Sequence, residues 1–263
     1  ERGANLVDSP RALAENSDIV VTSLADPSAV EQVYLGINGL LSSLPVPAIL
    51  IDLSTITPRL SRHIAAAAAE HGARFLDAPV AGSVRAASEG TLTVMVGGDR
   101  AAYEACQNLF ETFSRATFYL GPSGSGSAMK LVSNAVLATL MQALAEGVAL
   151  GQKAGLDVRT VLEVIGASSA AAPLVRAKAD VIVERRFLPA AFTLQLMQKD
   201  LWLALSLAHE LTVPMPATSL AHDIVLAATA IGRQDYDFSS VALLMEELAG
   251  LIEKRFGEAS SSA

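Results

Sequence analysis

In the run Gly124-Ser-Gly-Ser-Ala-Met-Lys130-Leu-Val-Ser-Asn134, a lysine and an asparagine stand four residues apart behind a Gly/Ser turn. On a helix, positions i and i+4 share a face, so an ammonium and an amide converge on one small polar ligand. A lysine near a helix start meets the positive end of the macrodipole, and partial burial acts in the same direction. Both lower the pKa of an amine and fit it to give or take a proton near neutral pH. The plainer reading is a solvated lysine. Against it, Ala128, Met129, Leu131 and Val132 make the surrounding helix apolar.

Three further segments place polar or small residues where strands are expected to end: Leu24-Ala25-Asp26, Ser54-Thr55, and Asp77-Ala-Pro-Val-Ala-Gly82-Ser83. An open α/β sheet binds ligands along the carboxyl ends of its strands. Each segment alone is ordinary turn chemistry, but three on one rim form a binding edge. Gln198-Lys199-Asp200 interrupts an otherwise apolar helix, so at least one of its charges is expected to be partnered, with Asp200 as a structural acceptor. Gly121-x-x-Gly124-x-Gly126 carries the dinucleotide glycine spacing reversed and leads into a helical region, which excludes it as a pyrophosphate cradle. Its glycines are expected to permit a tight turn at a domain junction and a close approach to a ligand. His63, His71, His209 and His222 lack metal-ligand spacing, so no metal is expected. No Gly-x-Ser-x-Gly elbow supports a serine hydrolase.

The elements that must position these residues fall into two kinds. Asp18–Leu24 and Ala48–Ser54 are short, nearly continuous apolar runs, as strands covered on both faces should be. Arg74–Asp77, Leu92–Val96 and Thr117–Leu120 are further strands by the same reading. Thr57-Pro58 and Asp26-Pro27 each set a capping side chain before a proline at the first helical position, and Gly72 stops the first of these helices. Strands alternating with such helices predict an α/β domain with a mostly parallel sheet. After Gly121-Pro122 the pattern turns helical, over about 124–153, 157–167, 172–186, 195–211, 215–231 and 239–254. The breaks fall at Gly155, Pro173, Pro189, Pro214/Pro216 and Gly232. Residues 1–121 are therefore read as an incomplete Rossmann-type domain and 122–263 as an all-helical domain, with a frayed tail Glu258–Ala263.

A length of 263 residues, 51% hydrophobic and 17% charged, fits a well-buried globular chain. The net charge of -8, without a Lys/Arg cluster, excludes broad nucleic-acid binding. Cys106 is the single cysteine, so an intrachain disulfide is excluded, in keeping with a reducing compartment and an expected cytoplasmic location. The best membrane-span candidate, Leu131–Gly151, is broken by Asn134, Gln142 and Glu146, so no membrane association is expected.

Taken in order, Asp77-Ala-Pro-Val-Ala-Gly82, Ala87-x-x-Gly90-Thr91-Leu92, Gly124-x-Gly126-x-x-x-Lys130-x-x-x-Asn134 and Lys199-Asp200 resemble the β-hydroxyacid dehydrogenase family over essentially the whole chain. The family includes 3-hydroxyisobutyrate dehydrogenases, tartronate semialdehyde reductases and glyoxylate/succinic semialdehyde reductases. The resemblance implies an NAD- or NADP-dependent oxidoreductase with a 6-phosphogluconate dehydrogenase-like C-terminal domain. Its substrate would be a small hydroxyacid or semialdehyde. Lys130 matches the catalytic lysine and Asn134 the residue orienting substrate beside it. Ala81, Gly82 and Ser83 match the turn that holds the substrate carboxylate. Leu24, Ala25, Thr55 and Lys199 match cofactor contacts, with Asp200 as the structural companion of Lys199. Pairing into a homodimer or homotetramer through the helical domain is implied as well.

Two departures accompany the match. Members usually read Asp-Ala-Pro-Val-Ser-Gly-Gly, whereas Ala81 and Ser83 here lose one hydroxyl and gain another two positions on. Carboxylate binding is therefore expected to be rebuilt. The Gly-x-Gly-x-x-Gly unit of the family is expected upstream of Glu1. A chain of this fold without turnover, serving as an interaction module, is the alternative from another class; a cyclic-imine reductase on the same scaffold is disfavoured by Lys130.

Overall fold

A computed structural model describes residues 3–45 and 48–251. Contacts divide the chain into two compact units, Glu1–Ser133 and Asn134–Ala263. The first unit is built on a six-stranded sheet: β1 (Ile19–Thr22), β2 (Ile49–Asp52), β3 (Arg74–Asp77), β4 (Val80–Ala81), β5 (Leu92–Gly98) and β6 (Ser114–Gly121). Strands β1, β2 and β3 run parallel, in a register that sets Thr22 beside Asp52 and Asp52 beside Asp77.

The apolar runs bury alternate residues on opposite faces, as strand geometry requires. Leu50 and Phe75 join Val20, Val30, Tyr34 and Ile64 on one face, under α2 (Pro27–Leu35) and α3 (Pro58–Glu70). Ile51 and Leu76 join Val94, Val96, Ala102 and Phe110 on the other, under α5 (Arg100–Ala105) and α6 (Gln107–Glu111). The short α1 (Pro10–Ala14) and α4 (Val84–Ser88) complete this unit. The helices begin where the sequence places them: Asp26 Oδ1 accepts from Ala29 N at 2.9 Å and Thr57 Oγ1 from Leu60 N at 3.1 Å.

The sheet is mostly parallel, as expected, with one reversal: β5 runs antiparallel to β3 and to β4 while remaining parallel to β6. Between β3 and β5 the chain forms the two-residue β4, which pairs with β5, and the short α4, so β5 returns along β3 and β4 as antiparallel strands do.

The second unit is helical: α7 (Ser125–Lys153), which starts in the first unit, then α8 (Val158–Ala167), α9 (Pro173–Val183), α10 (Leu194–Glu210), α11 (Pro216–Ala228) and α12 (Val241–Leu248). Its core gathers Met141, Ala145, Val148, Leu162, Leu194, Met197, Leu201, Val225 and Phe238. The helix expected over 215–231 ends early. A π turn, Thr229–Arg233, follows, with Gly232 at φ 88°. The last expected helix, 239–254, opens as a 3-10 turn and is helical to Leu248, and the tail expected to fray lies outside the described residues. By length and composition α7 is apolar enough to cross a membrane, although half of its apolar window is buried in protein.

Candidate active site

The start of α7 is fixed by a carboxylate from another element. Asp77, at the end of β3, accepts Gly124 N on Oδ1 and Ser127 N on Oδ2, each at 2.8 Å. These are amides of the first turn that no intrahelical carbonyl can satisfy. Burial pushes the Asp77 carboxyl above its usual range, and the two amides counter that only in part. The glycines of this turn serve packing. Gly124 sits at φ 94°, and a Cβ on Gly126 would stand 2.3 Å from the Met95 carbonyl oxygen and 2.4 Å from that of Asp77. What Gly126 approaches so closely is strand backbone, a packing role that the sequence did not announce. Lys130 follows in the second turn of α7, half-buried.

At the rims of β1 and β2 the structure joins two loops. Leu24 N donates to Ser54 Oγ at 2.8 Å, and Ser54 Oγ donates to Asp52 Oδ1 at 2.6 Å. Leu24 and Thr55 are half-buried and Ala25 is exposed. Burial also raises the pKa of Asp52 against its hydrogen bonds from Ser54 and Thr22, and the neighbouring Asp77 adds to the rise. This edge suits an anionic dinucleotide: Asp52 and Asp77 are turned into the protein, Asp26 is committed to a helix cap, and small or half-exposed residues remain outward. Ala81 pairs with Thr93 within the sheet. Gly82 and Ser83 follow it exposed, and Ser83 Oγ accepts from Ala86 N at 3.2 Å as the cap of α4. The Ser83 hydroxyl proton is left to donate elsewhere.

In the second unit Asn134, Lys199 and Asp200 come together. Asn134, 3% exposed, donates Nδ2–H to Asp200 Oδ2 at 2.5 Å, and Lys199 Nζ lies 2.9 Å from Asp200 Oδ1. A carboxylate only accepts hydrogen bonds, so Asp200 sets which way the Asn134 amide faces.

Sequence reasoning missed the roles of Asp52, Ser54 and Asp77. It also missed a buried ion pair in the second unit, Lys178 Nζ to Asp237 Oδ2 at 2.8 Å, where Asp237 also accepts from Ser239 N and Oγ. Each of the three rim groups stands at a strand end. Besides the local Ser54–Asp52 bond, each has a partner 30 to 50 residues away, Thr22 for Asp52, Leu24 for Ser54, and Gly124 and Ser127 for Asp77, which no local pattern announces. Among the described residues no cluster of His, Cys, Asp and Glu could hold a metal ion.

Residues 1–121 match the family model described as the NAD binding domain of 6-phosphogluconate dehydrogenase. Residues 124–245 match that described as NAD-binding of NADP-dependent 3-hydroxyisobutyrate dehydrogenase. The chain is 35% identical over 250 residues to 2-(hydroxymethyl)glutarate dehydrogenase of Eubacterium barkeri, covering 95% of this chain and 83% of that protein. It is 34% identical over 241 residues to cytokine-like nuclear factor N-PAC of Aedes aegypti, which is 92% of this chain and 43% of that protein. Among solved structures, 3-hydroxyisobutyrate dehydrogenase of Mycobacterium tuberculosis with L-serine gives a TM-score of 0.80 at 30% identity, over 89% of this chain and 81% of that one.

Proposed function

The chain belongs to the β-hydroxyacid dehydrogenase family of NAD(P)-dependent oxidoreductases, and on that premise we propose that it interconverts a small 3-hydroxy acid and its semialdehyde. 3-Hydroxyisobutyrate and tartronate semialdehyde/glycerate exemplify the class. In this reading residues 1–121 bind the cofactor and 122–263 form the helical dehydrogenase domain. The nicotinamide of NAD or NADP supplies or takes the hydride. Lys130 gives its proton to the aldehyde oxygen during reduction and takes one from the hydroxyl during oxidation.

The Ala81–Gly82–Ser83 turn holds the carboxylate through the Gly82 amide and the Ser83 hydroxyl, which donates while its oxygen caps α4, with Ala81 anchoring the turn to the sheet. Asn134 presents its carbonyl oxygen to the substrate hydroxyl, because one N–H of its amide is held by Asp200 and fixes which way the group faces. In this reading Leu24, Ala25 and Thr55 of the first unit contact the dinucleotide, and Lys199 is assigned a cofactor contact by the same family match.

The observation that carries this reading is the clamp of Asp77 on the first turn of α7, which fixes the height of the half-buried Lys130 on its helix. Preset geometry of this kind is what a proton donor needs. The test is steady-state kinetics of the intact protein across small 3-hydroxy acids and semialdehydes with each dinucleotide. Turnover that disappears in Lys130→Ala is expected. The likeness to a nuclear factor favours a second reading, a module without turnover. Tight dinucleotide binding with no oxidation or reduction of any member of the series would select it.

A further inference from the structure

Four side chains inside the first unit form one chain of hydrogen bonds, and every one of them is buried. Tyr34 Oη lies 2.7 Å from Thr22 Oγ1, Thr22 Oγ1 donates to Asp52 Oδ1 at 2.9 Å, and Ser54 reaches the same oxygen through Oγ at 2.6 Å and N at 3.1 Å. The direction of the chain follows from the inventory of protons. A carboxylate oxygen only accepts, so Thr22 and Ser54 each direct their single hydroxyl proton at Asp52, and Tyr34 donates to Thr22. The Ser54 oxygen then has lone pairs free, and one of them accepts from Leu24 N at 2.8 Å. The chain thus starts in α2, crosses β1 and β2, and ends on the backbone of the turn that carries Leu24 and Ala25. Thr55 is the next residue after the bridging serine.

We propose that Ser54, held by the buried Asp52, is a positioning residue for dinucleotide binding, fixing the Leu24–Ala25 turn and Thr55 as one preformed surface. The proposal rests on the reading above that these loops face the cofactor. A surface set before the ligand arrives avoids the ordering entropy that two independent loops would lose on binding. Asp52 does this at a distance from the ligand. Its role is to remove rotational freedom from the Ser54 hydroxyl, which otherwise has no reason to keep its lone pair toward Leu24 N.

The test titrates NADH and NADPH into the intact protein by nicotinamide fluorescence, alongside steady-state kinetics and melting of the ligand-free protein. Ser54→Ala is expected to raise the dissociation constant and the cofactor KM together by about tenfold, the scale of one lost hydrogen bond to a backbone group. At saturating cofactor, kcat and the substrate KM stay at the wild-type values. Thr22→Val, which keeps the side chain's shape and removes one donor to Asp52, shifts cofactor affinity in the same direction by less. A role confined to stability would lower the melting temperature and the active fraction while leaving both cofactor constants unmoved, and that result overturns the proposal.

Two controls separate the proposal from the reading beneath it. Thr55→Ala and Ala25→Glu alter the surface itself, the second by setting a negative charge against an anionic ligand. If these weaken dinucleotide binding and Ser54→Ala does not, the loops bind the cofactor and the positioning role falls. If all three bind as wild type, the assignment of the loops falls and takes the proposal with it.

Discussion

A single ammonium and a single amide carry the chemistry proposed for this protein, and their settings differ. Lys130 is half-buried on the second turn of α7, while Asn134, one turn on, is buried and held by a carboxylate. Removing the lysine should therefore cost chemistry and little else. Lys130→Ala is expected to lower kcat by at least about 10²-fold, the usual scale for a lost general acid/base, with the dinucleotide dissociation constant unchanged. Wild-type turnover by that variant removes the lysine from the reaction. Asn134→Ala has a double effect. It leaves Asp200 Oδ2 without its donor, a loss of about 2 kcal/mol in stability, so its kinetics must be read below the temperature at which the variant begins to melt. A variant that melts with the wild type would show that the Asn134–Asp200 hydrogen bond is not formed in solution. At this scale the residue types were legible, because Lys and Asn at helical spacing are a pattern in themselves. The fixed face of the Asn134 amide was not, since Asp200 lies 66 residues further on.

At the scale of elements, the first turn of α7 is the piece on which the rest depends. Asp77 accepts two of its amides, and Gly126 lets the helix lie directly on the backbone of β3 and β5. A methyl at position 126 would meet two carbonyl oxygens at 2.3 and 2.4 Å, so the helix start must move away from the sheet. Gly126→Ala is expected to destabilise the protein by about 3 kcal/mol, at the upper end for overpacking. Thermal unfolding checks it, and an unchanged melting temperature would contradict the packing described here. Asp77→Ala strands two buried amides and should cost a comparable amount, about 3 kcal/mol. Glycines at these positions were visible in the sequence, and the tight turn at Gly124 was read from them, but the close approach of Gly126 to strand backbone was not. A glycine that serves a ligand and a glycine that serves a strand look alike until the strand is in place.

For the molecule as a whole, the two units carry buried carboxylates of opposite character. In the first, burial raises the pKa of Asp52 and of Asp77 beyond what their hydrogen bonds offset. A carboxyl raised on folding binds its proton more tightly in the native state, so this unit loses stability as pH rises through those raised values and regains it toward the ordinary carboxylate range. In the second, burial pushes Asp237 upward, but the Lys178 ammonium and Ser239 override it and hold the carboxyl below its usual range. That contribution is present above the ordinary carboxylate pKa and is lost as pH falls through the lowered value. Calorimetry carried from neutral pH to below the ordinary carboxylate range should show the first unit's transition rising as pH falls through the raised Asp52 and Asp77 values, and the second unit's falling only at still lower pH, below the ordinary carboxylate pKa. Parallel shifts would mean that these carboxylates do not govern the response.

The amino-acid order alone determined what depends on near neighbours. The caps at Asp26 and Thr57, the two-face burial of Leu50-Ile51 and Phe75-Leu76, and the helical breaks at Gly155 and Gly232 all follow from a few adjacent residues, because capping and pleating act over one turn or one step. Motifs taken together also fixed the family. Tertiary structure decided the rest: that β5 runs against β3, that Asp77 belongs to α7, that Ser54 joins two loops, and that Lys178 meets Asp237. Those pairings span tens of residues, and which polar group meets which depends on how the apolar faces pack. Packing is a property of the whole chain at once, and no short stretch of it encodes the outcome.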